Sequence, residues 1–125
     1  MQRTKLELEF IFRASPTILH QFLTEPNCLI RWFCDEIDIE GTTYSFIWEG
    51  FAEEAELVEN IEPKLVKFVW EDAEDNEFLA FSMTKSPVTD ETILIITDFC
   101  DDDEVDDQRN LWDAQIKKLR QVTGS

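Results

Sequence analysis

The feature that most restricts the fold is an alternation of apolar and polar side chains with a period of two, which recurs along most of the chain. It is clearest in the segment KLELEFIFR at residues 5–13. Its apolar members share one face: Leu6, Leu8, Phe10 and Phe12. Because successive side chains of an extended strand point to opposite faces, the segment predicts a strand with one buried face.

Six further segments have strand-like patterns and are separated by turn residues. They are DEIDIE (35–40), TYSFIW (43–48), the acidic stretch 51–61, LVKFVW (65–70), FLAFSMT (78–84) and TILIITDFC (92–100). The short connections between them are typical of antiparallel hairpins. The last segment is apolar on both faces, which predicts a central place in the sheet.

Two short helices are predicted between the first and second strands. Ser15 is a favoured N-cap, and Pro16 is pre-organised for the first helical turn, so a helix should run from there to about Leu23. Pro26 opens a second short helix. Its apolar side chains would fall on one side: Leu29, Trp32 and Phe33.

A long helix is predicted after the acidic run DDDEVDD at residues 101–107. Its apolar positions have helical spacing: Val105, Trp112, Ile116 and Leu119. Acidic residues at its start and basic residues near its end both interact favourably with the helix dipole. This helix is the only long element that can cover the apolar face of an antiparallel sheet.

The order of elements therefore predicts an α+β fold. A curved antiparallel sheet of about seven strands would wrap on the long C-terminal helix, with two short helices after strand one. The length of 125 residues suits one domain, spanning residues 1–125.

The charge balance restricts the classes of partner. With 28 Asp and Glu against 11 Lys and Arg, the formal charge of −17 would repel nucleic acid and anionic membrane surfaces. No uncharged run is long enough for integral membrane association, and the first residues lack the apolar core of a signal peptide. Together with an odd count of three cysteines, these features predict a cytoplasmic protein with reduced thiols.

Several short motifs carry a resemblance to a known family. They are Ser15-Pro16, Leu23-Thr24-Glu25-Pro26, Ile30-Arg31-Trp32-Phe33, the strand ending Phe46-Ile47-Trp48-Glu49-Gly50, and Ile61-Glu62-Pro63 followed by Val66-Lys67-Phe68-Val69-Trp70. In this order, and with a Trp-bearing terminal helix, the chain resembles the START-like or helix-grip (SRPBCC) superfamily. Within it, the chain looks most similar to the activator of heat-shock-protein ATPase homologue group, which is polyketide-cyclase-like.

The resemblance implies a sheet that grips the C-terminal helix, with a cavity between them. Members of the superfamily often bind lipids or other apolar small molecules there; some are cyclases or related enzymes, and some modulate chaperones. It implies no catalytic signature that could be transferred to this sequence.

Inward-facing aromatic residues are the candidates for the wall of such a cavity, with one acidic residue as a polar candidate. The full set is Trp32, Phe33, Phe46, Trp48, Phe68, Trp70, Phe81, Met83, Asp98 and Trp112. For most of these side chains a filled core is the simpler interpretation, and some of them would line a pocket. The alternation alone leaves the facing of Asp98 open. Pockets for small molecules are mostly apolar, with few polar groups that set orientation.

The remaining chemistry-bearing residues do not form a recognisable site. Cys28 and Cys34 are separated by five residues, and neither Cys100 nor His20 supplies the second close pair of a zinc site. His20 lies between the apolar positions of its helix, so we expect it to face solvent. The acidic run 101–107 lacks the glycine and closing glutamate of a calcium loop. We therefore predict no metal, no cofactor and no catalytic residue.

Three functions follow as hypotheses. The first is a non-enzymatic domain that binds an apolar small molecule or lipid between the sheet and the C-terminal helix. The second is a protein-interaction module of the chaperone-regulator type, whose acidic surface would dock a basic partner. The third is a small cyclase or hydrolase, which would need convergent titratable groups in a pocket. The sequence is compatible with a monomer or a homodimer.

Overall fold

The computed structural model describes residues 2–124, which form one antiparallel sheet and three helices. The strands are β1 (Arg3–Phe12), β2 (Glu36–Glu40), β3 (Thr43–Trp48), β4 (Phe51–Ile61), β5 (Leu65–Trp70), β6 (Leu79–Lys85) and β7 (Thr92–Asp101). The helices are α1 (Pro16–Thr24), α2 (Pro26–Leu29) and α3 (Val105–Thr123), with a short 3₁₀ turn at Asp102–Glu104. The predicted α+β class, strand count and element order are confirmed.

The sheet is curved and open, with strand order β1-β7-β6-β5-β4-β3-β2. Each neighbouring pair is antiparallel, and the inward-facing positions of adjacent strands align, as in the pairs Tyr44–Ala55 and Ala55–Trp70. A register shift between Leu57 and Glu59 interrupts the pairing of β4 with β5. Such bulges bend a strand and increase its twist, which helps an open sheet to wrap.

Local sequence signals set several of the boundaries. The Ser15 hydroxyl accepts a hydrogen bond from the Ile18 amide at 3.2 Å, which caps α1 as predicted. Glu49 and Gly50, both with positive φ, form the two-residue connection between β3 and β4. This tight turn matches the twist of the flanking strands and fixes the register in which Trp48 pairs with Phe51.

The second helix is shorter than its apolar spacing predicted. It ends at Leu29, whose carbonyl accepts hydrogen bonds from the amides of Trp32, Phe33 and Cys34 in the following turn. Trp32 and Phe33 therefore lie in a tight turn rather than on a helix. Both side chains are nevertheless buried, because the indole N–H of Trp32 donates to the Phe22 carbonyl at 2.8 Å and holds the turn against α1.

Strand β7 lies inside the sheet but not at its centre. It pairs with β6 and with the edge strand β1, and the prediction of a central position is therefore wrong. Its second face is only partly buried, at Ile93 and Ile95 among others. A strand that pairs on both sides can therefore carry apolar residues on both faces without lying at the centre of the sheet.

The prediction that His20 faces solvent is also wrong. Only 6% of the residue is exposed, and its Nε2 lies 2.6 Å from Oδ1 of Asn60 on β4. Helix α1 contacts α2, α3, β5 and β6, so the side of the helix between its apolar positions is covered as well. The side-chain amide oxygen of Asn60 accepts the hydrogen bond of the His20 ring nitrogen, which burial has removed from water.

The core lies between the sheet and α3, under α1 and the turn after α2. Along α3, Ile116 and Leu119 are fully buried and Leu111 is exposed, as the amphipathic pattern predicts. No helix within residues 2–124 is long and apolar enough to cross a bilayer.

Candidate functional site

A cavity of about 730 Å³ lies between the sheet and the N-terminal half of α3. The ends of β3, β5 and β7 and the start of β6 form its base, and α3 forms its roof. It is lined by Arg3, Phe33, Trp48, Glu53, Trp70, Asp72, Ala73, Glu74, Glu77, Phe78, Leu79, Asp98, Phe99, Gln108, Leu111, Trp112 and Gln115.

Aromatic rings form the inner wall of the cavity. Phe33 stacks on Trp112 with ring centroids 6.2 Å apart and planes inclined by 19°. Its other side meets Trp48 edge-on at 5.4 Å, and Trp48 lies 6.3 Å from Trp70. The Trp48 indole N–H donates to the Phe33 carbonyl at 2.6 Å, so the turn after α2 is fastened to the end of β3. Phe33 thus separates the cavity from the filled core.

Asp98 faces inward, which settles the orientation that the sequence left open. One carboxylate oxygen accepts a hydrogen bond from the Phe99 amide at 2.8 Å. The other accepts from Gln108 Nε2 at 2.8 Å and from the Trp112 indole at 2.9 Å. Because a buried carboxylate is costly without partners, these donors explain how Asp98 is tolerated in an apolar strand and how α3 is positioned over β7.

Charged side chains surround the mouth of the cavity. The guanidinium of Arg3 binds Glu77 at 2.5 Å and Asp101 at 2.9 Å. These contacts raise the pKa of Arg3 above its ordinary value, and the hydrogen bonds from Arg3 hold the pKa of Glu77 below its usual range. The cluster links β1, the end of β7 and the β5–β6 loop at one side of the opening.

Half of the predicted cavity candidates line the cavity, and half lie in the core. Those at the cavity are Phe33, Trp48, Trp70, Asp98 and Trp112. Those in the core are Trp32, Phe46, Phe68, Phe81 and Met83, all buried. The division follows position along the strands: Phe46 and Phe68 are fully buried, whereas Trp48 and Trp70, two residues further on, are half-buried and line the cavity.

Apart from Asp98, sequence reasoning missed the polar residues of the site. Gln108 and Gln115 lie four residues before and three after Trp112, so helical spacing would have placed them on the same face. The Oε1 atom of Gln115 is buried and has no hydrogen-bond donor within residues 2–124. The part played by Arg3 depends on the pairing of β1 with β7, which no local pattern reveals.

The carboxylates of Asp101, Asp103 and Glu104 are the one group within residues 2–124 spaced to hold a metal ion, with ligand atoms within 4.8 Å of one another. They lie at the start of α3, and Asp103 and Glu104 are exposed. Hydrogen bonding and charge repulsion from Asp101 raise the pKa of Glu104. Exposed acids at a helix N-terminus are common because the helix dipole favours them.

The cysteines do not meet in a site. Cys34 and Cys100 are buried, Cys28 is half-buried, and all three are free. Burial raises the pKa of the Cys34 thiol to about 11, and it raises the pKa of Cys28 and Cys100 as well. Thiols that stay protonated are poor nucleophiles and poor metal ligands.

Comparison with known structures finds the same fold repeatedly. A Bacteroides fragilis protein solved in solution by NMR is 32% identical, with a TM-score of 0.70 over 98% of this chain and 92% of that one. The Aha1 dimer from Colwellia psychrerythraea is 18% identical, with a TM-score of 0.80 over 96% of both chains. DynU16, from the dynemicin biosynthetic locus, is 16% identical, with a TM-score of 0.76 over 97% of this chain and 48% of its own. The last two show a shared fold alone.

Among curated proteins, none matches the sequence. A family model described as the START-like superfamily domain matches residues 1–125. Both this match and the 32% identical relative extend over nearly the whole sequence. The chain therefore belongs to the START-like superfamily.

Proposed function

We propose that the protein is a non-enzymatic binding domain that takes an apolar small molecule or lipid into the cavity between the sheet and α3. The observation that carries this proposal is the cavity itself, about 730 Å³ in volume and walled by Phe33, Trp48, Trp70 and Trp112. Small-molecule sites have volumes of roughly 300–1,000 Å³ and are mostly apolar, with a few placed polar groups. Asp98, Gln108 and Gln115 supply such groups on one side.

The aromatic wall supports an apolar ligand for an energetic reason. Trp48 and Trp70 are only half-buried, because their outer parts face the cavity rather than other side chains. Removing apolar surface from water is favourable by roughly 25 cal/mol per Å². A ligand that covers these rings would gain this contribution without a rearrangement of the core.

An enzymatic role has less support. The described residues that line the cavity include no Ser, Thr, Tyr, Cys, His or Lys. Asp98 already accepts three hydrogen bonds from neighbouring groups, so its lone pairs are largely occupied. Of the other lining carboxylates, Glu77 is bound to Arg3, whereas Glu53, Asp72 and Glu74 are exposed. A cyclase or hydrolase would need a base or nucleophile that is enclosed with its substrate.

Protein interaction is the second candidate. The outer face of β4 is acidic, and Glu54, Glu56 and Glu59 on it are exposed. Glu56 accepts hydrogen bonds from Thr42 and Thr43, which orders part of this surface. A basic partner would fit it, and a neighbour in fold is described as an Aha1 dimer. We place this second because an acidic surface also serves solubility.

The proposal includes a cytoplasmic location and leaves the choice between a monomer and a homodimer open. The three free cysteines support a reducing compartment. The outer edges of β1 and β2 have no strand partner within residues 2–124, and either could accept a second copy.

A neutral aromatic probe tests the proposed function. We expect 2-(1-naphthyl)ethanol to raise the unfolding temperature with a single-site concentration dependence. Ligand at a hundred times its Kd stabilises a protein by about 2.7 kcal/mol. Differential scanning fluorimetry and calorimetric titration measure the effect, with ethylene glycol as the control that lacks the ring. The absence of stabilisation and of binding heat would contradict the proposal.

A further inference from the structure

Acceptors and negative charges dominate the polar part of the cavity. The described lining residues include one guanidinium, that of Arg3, and five carboxylates: Glu53, Asp72, Glu74, Glu77 and Asp98. The excess of negative charge is therefore present at the cavity as well as over the whole chain, since these groups line one opening. A ligand with a carboxylate or phosphate headgroup would meet repulsion there.

Arg3, the one cationic residue in the described lining, already forms ion pairs with acidic side chains. Arg3 binds Glu77 and Asp101 directly, and its Nε lies 3.7 Å from Glu74. Two other lining carboxylates, Glu53 and Asp72, have no ion-pair partner within residues 2–124. Both are exposed at the rim, so they remain free to attract a cationic group.

The inner part of the cavity also favours a ligand that is positively charged and donates hydrogen bonds. Asp98 is buried, its hydrogen-bond donors are all neutral, and it forms no ion pair within residues 2–124. The buried Oε1 of Gln115 has no hydrogen-bond donor among the described residues. Of the three indole N–H groups at the cavity, those of Trp48 and Trp112 donate to protein acceptors. Only the indole N–H of Trp70 has no acceptor within residues 2–124.

The aromatic wall also favours a cation. The faces of tryptophan rings attract ammonium groups, and the attraction is stronger where water is excluded. Trp48 and Trp70 line the same cavity as Glu53 and Asp72. The ring faces and the carboxylates therefore both attract a positive charge at the mouth of the cavity.

We propose that the natural ligand is an amphipathic amine: an apolar body that packs on the aromatic wall and carries a protonated nitrogen with N–H donors. The N–H groups would satisfy the Gln115 oxygen, and the positive charge would interact with Asp98 and the rim carboxylates. This inference rests on the proposed function and narrows its ligand class.

Three probes with one ring system test the inference by calorimetric titration of the full chain at neutral pH. They are 2-(1-naphthyl)ethylamine, 2-(1-naphthyl)ethanol and 1-naphthylacetate. We expect the amine to bind more tightly than the carboxylate by at least about tenfold at low salt, with the alcohol between them. The difference should shrink as salt is raised, because exposed charges are screened.

Two matched double variants distinguish the effect of charges at the cavity from the effect of the protein's overall charge. Glu53→Gln with Asp72→Asn removes two rim charges, and Glu9→Gln with Glu36→Gln removes two exposed charges that do not line the cavity. We expect the first pair to reduce amine affinity about threefold or more, and the second pair to change it much less. Gln115→Leu should weaken the amine more than the alcohol, because the charged ammonium group donates more strongly than a hydroxyl.

The outcomes distinguish the two proposals. If the alcohol binds but the amine is no tighter than the carboxylate, the ligand class is wrong and the binding function stands. If both double variants weaken the amine equally, the effect belongs to net charge and the inference fails. If none of the three probes binds, the proposed function fails and the inference fails with it.

Discussion

Replacement of Trp112 by alanine is expected to lower the free energy of unfolding by about 3–5 kcal/mol. Only 4% of Trp112 is exposed, and its ring contacts Phe33 at 6.2 Å and Phe81 at 5.8 Å between centroids. Its indole N–H is one of the donors that stabilise the buried carboxylate of Asp98. The substitution therefore leaves both a void under α3 and a less satisfied acidic group.

Urea denaturation followed by circular dichroism measures this change. Trp112→Phe is the informative intermediate, since it keeps most of the ring contacts and removes only the donor, which should cost about 1–3 kcal/mol. Leu111→Ala, at the exposed neighbouring position, should change stability by less than about 0.5 kcal/mol. An unchanged midpoint for Trp112→Ala would show that α3 is not anchored as described.

Replacement of Gln115 by tryptophan is expected to abolish measurable binding of 2-(1-naphthyl)ethanol. Gln115 lines the cavity from α3, so a larger ring there would occupy the space that the ligand needs. The matched control is Ala114→Trp, one residue earlier, which is exposed and does not line the cavity. The control should retain the affinity of the unchanged protein.

Calorimetric titration of both variants, with unfolding midpoints measured in parallel, checks this prediction. Because Gln115→Trp also removes the buried oxygen that lacks a donor, it should not unfold the protein. Undiminished affinity in a folded Gln115→Trp protein would place the ligand elsewhere. Equal loss in Ala114→Trp would indicate a general effect on α3 instead.

Local patterns predicted most of the fold because each strand carries its own period and each helix its own start signal. The alternation in β1, β3 and β5 and the Ser15 cap all appear where the pattern placed them. The errors concern relations between distant segments. The place of β7 in the sheet depends on its pairing with β1. The burial of His20 depends on the packing of α1 against distant elements and on Asn60 of β4.

The candidate site was predictable by residue type but not by position along the strands. An inward aromatic residue in the middle of a strand and one at its end have the same local pattern. Phe46 is fully buried in the core, whereas Trp48, two residues further along the same face of β3, is half-buried and lines the cavity. The boundary between core and cavity depends on tertiary packing, so no single segment of the sequence determines it.

The most direct test of the account is an NMR titration of the indole N–H signals with 2-(1-naphthyl)ethanol. The chain has four tryptophans: Trp48, Trp70 and Trp112 line the cavity, and Trp32 lies in the core with its indole bound to the Phe22 carbonyl. We predict that the first three signals shift with one common dissociation constant and that the Trp32 signal moves much less. If no signal shifts, or if Trp32 responds as strongly as the others, the cavity beneath α3 is not the binding site.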